Sequence, residues 1–129
     1  MTQKRVKATG KGGTASFLAL PRHILESDEY AELTAFEVKL LIDMFAQFNG
    51  KNNGDLCAAW GIMEKKGWRS RDTLFRAIEG LRFNKFIQRT RQGGRNMASL
   101  YAVTWLGIDE CKNKLDVRST RVPTNEWRK

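Results

Sequence analysis

The chain has 129 residues, 41% of them hydrophobic, and its 23 lysines and arginines against 14 aspartates and glutamates give a formal charge of +9 at pH 7. This length supports one core and is short for two domains with tails, and no apolar run approaches the roughly 18 residues needed to span a bilayer. Cys57 and Cys111 stand far apart with His23 as the lone histidine, which excludes a zinc motif and a dense disulfide framework.

The N-terminus, MTQKRVKATGKGGTASF, carries no apolar stretch after its basic residues, so the expectation is a soluble, cytoplasmic chain. Such a basic excess favours a polyanionic partner, nucleic acid or an anionic surface. The charge is segregated: residues 1 to 21 hold four basic and no acidic side chains, and residues 22 to 50 hold two basic and six acidic ones. Residues 51 to 105 then carry 11 basic against four acidic groups, and residues 106 to 129 carry six against four.

In chain order, residues 1 to 16 are basic, rich in Gly and Thr and poor in large apolar groups, which reads as a flexible basic arm. FLALPRHILESDEYAEL follows, and its proline suits a helix start, giving a short helix over 21 to 28. In LTAFEVKLLIDMFAQFNG, Thr34 and Glu37 have capping-box spacing, and Val38, Leu41, Ile42, Phe45 and Phe48 recur at helical spacing, with Leu40 and Met44 broadening the stripe. Asn49 and Gly50 stop this helix.

Next, KNNGDLCAAWGIMEKKGW makes a turn, a short strand at Leu56 and a compact helix around 58 to 66 that leaves at Gly67. Ser70 is a candidate N-cap for a helix whose inward stripe is Leu74, Ala77, Ile78 and Leu81, with Asp72 at its positive end and Asn84 at its close. KFIQRTR and MASLYAVTW, joined by QGGRN, form a hairpin in which Tyr101, Val103 and Trp105 share the face turned to the helical core. LDVRSTRVPTNEWRK reads as an appended tail in which Trp127 supplies an anchor. The organisation is an arm at 1 to 16, a folded domain at 17 to 109 and an extension at 110 to 129.

The segments LTAFEVKLLIDMFAQF, CAAWGIMEKKGW, SRDTLFRAIEGLRF and KFIQRTRQGGRNMASLYAVTW, spanning residues 33 to 105, resemble in their order a winged helix-turn-helix DNA-binding domain. They are similar in particular to compact regulatory or replication-associated proteins of bacterial mobile elements. The resemblance implies an α+β fold: three principal helices, a short strand and a C-terminal β-hairpin wing, here with an extra N-terminal helix. It implies that the second helix braces the third, that the third enters a DNA major groove, and that the wing approaches an adjacent groove or the backbone.

On that reading Arg76 is the candidate for a bidentate contact to guanine, and Arg71 serves base or phosphate. Ser70 and Thr73 contact phosphate at the helix N-terminus, although capping alone also accounts for Ser70. Lys65, Lys66 and Arg69 precede the helix, and Arg89, Arg91, Arg95 and Asn96 flank or occupy the wing, where phosphate attraction is the main role and a solvated surface the plain alternative. Lys4, Arg5, Lys7 and Lys11 are candidate arm contacts. Asp72 and Glu79 accept from cytosine, orient arginines or face water.

GKGG and QGGR lack the phosphate-loop pattern, and His23 has no nucleophile or oxyanion constellation beside it. The expectation is a non-enzyme without cofactor that binds double-stranded DNA, in transcription regulation or mobile-element replication. A homodimer and a replication or transcription protein are further partners, and no membrane is involved. A protein-interaction adaptor using the acidic first principal helix or Trp127, and an RNA-binding protein, are the alternatives.

Overall fold

The computed structural model describes residues 15–129. Its elements run α1 (Arg22–Leu25), α2 (Asp28–Ala31), α3 (Ala35–Phe45), β1 (Leu56–Cys57), α4 (Trp60–Glu64), α5 (Arg71–Phe83), β2 (Ile87–Arg91), β3 (Leu100–Val103) and a 3-10 turn at Cys111–Asn113.

Where one helix is expected over 21 to 28, two short ones form because Ser27 interrupts them. Its hydroxyl donates to the Ile24 carbonyl at 2.6 Å, closing α1, and accepts from the Tyr30 amide at 3.1 Å, opening α2. The capping box of α3 is present: Glu37 N–H donates to Thr34 Oγ1 at 3.1 Å and Thr34 N–H to Glu37 Oε1 at 2.9 Å. The centre of its buried stripe differs from the expected one. Leu40, Leu41, Met44 and Phe45 are buried while Val38, Ile42 and Phe48 are half-buried, because α3 packs both on α5 and on β1. Helix α4 is shorter than expected, and α5 buries Leu74, Ala77 and Leu81 as its spacing requires.

The sheet is antiparallel with order β1-β3-β2. Leu56 pairs with Tyr101, and Ile87 with Val103, so that face carries Tyr101, Val103 and Trp105 into the core formed with α3, α4 and α5. The pairing slips between Arg89, opposite Tyr101, and Arg91, opposite Leu100, so Thr90 is a bulge residue. Its hydroxyl turns inward and donates to the Gly54 carbonyl at 2.6 Å.

Every residue of β3 is buried, so the face opposite the helices is closed too. The chain after β3 does this: the Asp116, Thr120 and Asn125 amides donate to the Thr90, Ile108 and Thr104 carbonyls at 2.8, 2.9 and 2.8 Å. Trp127 ends buried, stacked on Phe86 with ring centroids 5.9 Å apart, and 5.9 Å from His23. Trp127 is thus part of the chain's own core, which removes it as a docking anchor for another chain.

Ahead of β1, Asn53 is fully buried. Its Nδ2 donates to the Val103, Leu106 and Gly107 carbonyls at 3.1, 3.3 and 2.9 Å, and its Oδ1 accepts from Val103 N–H at 2.9 Å. The side chain thereby extends the β1–β3 pairing beyond a two-residue strand. The architecture is winged-helix-like: helices α3, α4 and α5, a short three-stranded sheet with a β2–β3 hairpin as wing, and α1 and α2 in front.

Candidate nucleic-acid interface

Residues between α4 and α5 are held by the side of α3 they cross. Met63 is buried, and its carbonyl accepts the Lys66 amide at 2.8 Å and the Trp68 amide at 3.2 Å. Gly67 makes the reversal possible with φ of 96°, a value that favours glycine. Trp68 then buries its ring against Phe36, centroids 5.8 Å apart, and its indole Nε1 donates to Asp43 Oδ2 at 2.9 Å. Lys39 Nζ donates to the same oxygen at 3.0 Å and to the Lys66 carbonyl at 2.9 Å. One carboxylate on α3 therefore binds both the indole and the ammonium that hold this turn.

That anchoring leaves Lys65, Lys66 and Arg69 exposed on consecutive parts of one turn. Ser70 is the N-cap of α5: its Oγ accepts from Thr73 N–H at 3.2 Å, and its own hydroxyl proton is free to donate. Arg71 lies over the Trp60 ring, 5.3 Å from its centroid, which ties the start of α5 to the start of α4. Among the described residues, Lys65, Lys66, Arg69, Arg71, Arg89 and Arg95 enter no ion pair.

Further along α5 the outward side is balanced in charge. Arg76 Nε meets Asp72 Oδ2 at 3.0 Å and Arg82 meets Glu79 at 3.1 Å, pairs one turn apart on the helix surface. Thr73 is half-buried and faces α3, sharing with Phe36, Lys39, Trp68, Arg69 and Ser70 a hollow of about 290 Å³. Thr73 and Arg76 line a second hollow with Thr34, Phe36 and Glu37.

On the wing, Gly94 and Met97 exchange backbone hydrogen bonds at 2.9 and 3.1 Å, so Arg95 and Asn96 stand between them at the exposed tip, Asn96 with φ of 57°. Arg89 and Arg91 are half-buried. Arg91 is turned onto its own hairpin: Nη2 donates to the Ala98 carbonyl at 2.8 Å, and Nε is buried with no partner. Lys4, Arg5, Lys7 and Lys11 lie outside the described residues.

The structure thus gathers Lys65, Lys66, Arg69, Ser70 and Arg71 at one helix-turn, sets Thr73 and Arg76 beside α3, and carries Arg95 and Asn96 on the hairpin tip. Lys39 joins the first group through the hollow it shares with Arg69; its i,i+4 spacing to Asp43 was the only sequence signal for it. Among the described residues no cluster of His, Cys, Asp and Glu is placed to hold a metal ion, both cysteines are free thiols, and no helix is long and apolar enough to cross a membrane. Comparison with family models, with curated proteins and with solved structures finds no match for this chain.

Proposed function

We propose that this protein binds double-stranded DNA, with α5 in the major groove and the wing tip on the adjacent backbone. The observation that carries this reading is the turn between α4 and α5. Four exposed cations, Lys65, Lys66, Arg69 and Arg71, fall in the turn that leads into a 13-residue helix and in its first position, without an acidic ion-pair partner among the described residues. Helix N-terminal amides and unpaired cations attract phosphate oxygens together. Thr73 N–H is already committed to Ser70, which leaves the other first-turn amides for that contact.

In this reading residues 17 to 109 form the binding domain, residues 110 to 129 brace its sheet, and Lys4, Arg5, Lys7 and Lys11 add charge for the same polyanion. The cellular role is transcriptional control or action at the replication origin of a mobile element, in the cytoplasm and without a cofactor. The test is fluorescence anisotropy of labelled duplex DNA across a salt series, with single-stranded DNA and structured RNA as competitors. Affinity that falls linearly on a log–log plot against salt, with duplex preferred, is the expected result. Absence of association at low salt with folded protein overturns the reading.

A protein-interaction adaptor is the second reading, favoured by Phe83, which is 84% exposed at the end of α5. Retention of a stable partner in pull-downs after nuclease treatment would support it.

A further inference from the structure

The outward side of α5 carries a feature that phosphate attraction does not use. Phe75 is 59% exposed between Arg71, one turn before it, and Glu79, one turn after it, and is followed directly by Arg76. An unburied phenyl ring forgoes the stabilisation that burial would give it, so a partner that covers the ring recovers that free energy. Arg76 is paired to Asp72 through Nε, which leaves both Nη groups, the fork that meets guanine O6 and N7. Asp72 is therefore a positioning residue: it limits the rotation of the guanidinium and offsets its charge, so that Arg76 contributes direction more than attraction.

Consecutive side chains leave a helix about 100° apart with about 1.5 Å between them along the axis. Phe75 and Arg76 are thus within reach of neighbouring base pairs. In the major groove the group that an apolar side chain contacts is the thymine C5-methyl, and the base that an arginine fork selects is guanine.

We infer that α5 selects DNA sites in which a thymine neighbours a guanine, Phe75 covering the thymine methyl and Arg76, held by Asp72, reading the guanine. This inference rests on the DNA-binding reading and specifies its sequence preference.

The experiment is selection from a random duplex library at matched salt, followed by anisotropy on the selected site with uracil replacing that thymine and 7-deazaguanine replacing that guanine. Loss of one methyl contact should weaken wild-type binding about fourfold. Phe75→Ala should bind more weakly and become indifferent to the uracil exchange, while Phe75→Leu keeps sensitivity to it. The 7-deazaguanine exchange should weaken the wild type about tenfold and leave Arg76→Ala unaffected, and Asp72→Asn should reduce that discrimination while raising the salt slope, because the charge of Arg76 is no longer offset. Circular dichroism confirms that each surface variant is folded.

Salt-sensitive duplex binding without sequence preference overturns the inference and leaves the DNA reading standing. So does a selected site without the thymine and guanine step, or an unchanged uracil effect in Phe75→Ala. Absence of any duplex binding overturns both.

Discussion

Asn53 and Val103, 50 residues apart, exchange two hydrogen bonds: Asn53 Nδ2 donates to the Val103 carbonyl at 3.1 Å, and Val103 N–H donates to Asn53 Oδ1 at 2.9 Å. One amide side chain thus satisfies both polar groups of a strand residue that has no further backbone neighbour on that side. Replacing it with alanine leaves the buried N–H and carbonyl of Val103, and the half-buried Gly107 carbonyl, without their side-chain partner. Asn53→Ala should cost about 3 kcal/mol; urea unfolding measures it, and a midpoint within error of wild type contradicts the account.

The two glycines of the hairpin are unequal. A Cβ at Gly93 would stand 2.5 Å from the Met97 carbonyl oxygen and 2.5 Å from Ser99 N, both backbone atoms of the hairpin arm that leads into β3, whereas one at Gly94 meets nothing within 4 Å. Gly93→Ala should destabilise by about 2 kcal/mol and Gly94→Ala by well under 1 kcal/mol. Equal effects in thermal unfolding would show that the hairpin register differs from the one described.

Removing the turn cations separates attraction from readout. Each of Lys65→Ala, Lys66→Ala and Arg69→Ala should lower the slope of log affinity against log salt by about one and weaken all duplexes alike. Arg91→Ala should leave the slope unchanged, because that guanidinium is committed to the Ala98 carbonyl. Anisotropy titrations at four salt concentrations distinguish the two outcomes.

How much of this was legible beforehand follows from the reach of each interaction. The Thr34–Glu37 box, the Ser70 cap and the Asp72–Arg76 pair join residues three or four apart, so residue type and spacing reveal them. The α5 stripe was legible for the same reason. Asn53 could not be read this way: a polar residue in KNNGD looks like turn material until the strand 50 positions on is in place. The choice between Gly93 and Gly94 needs the register of the strands, and the bulge at Thr90 alters that register. Trp127 lies in a segment without periodicity, and only the partners it meets, Phe86 and His23, show that it belongs to the core.

Trp127 is 3% exposed, and its ring lies against Phe86, itself fully buried. Trp127→Ala should cost about 3 to 5 kcal/mol and raise proteolysis within residues 110 to 129. A variant of unchanged stability would mean that the extension is dispensable to the domain.

Cys111 is half-buried, and its thiol is pushed above the usual range first by loss of solvent and then by the carboxylates of Asp55 and Asp109, with Lys114 opposing. The raised value keeps it protonated at neutral pH, and the thiolate is the reactive form. In a Cys57→Ser background, alkylation by iodoacetamide should be slow at pH 7.5 and should inflect above the ordinary thiol value of about 8.5. An inflection at or below that value contradicts the described environment.

The closure of the sheet by residues that follow it also makes the extension a clasp on the wing. Its Asp116 and Asn125 amides hold the Thr90 and Thr104 carbonyls, so peeling this segment away would bare the outer side of Leu100 and Ala102 and offer an unpaired strand surface to other chains.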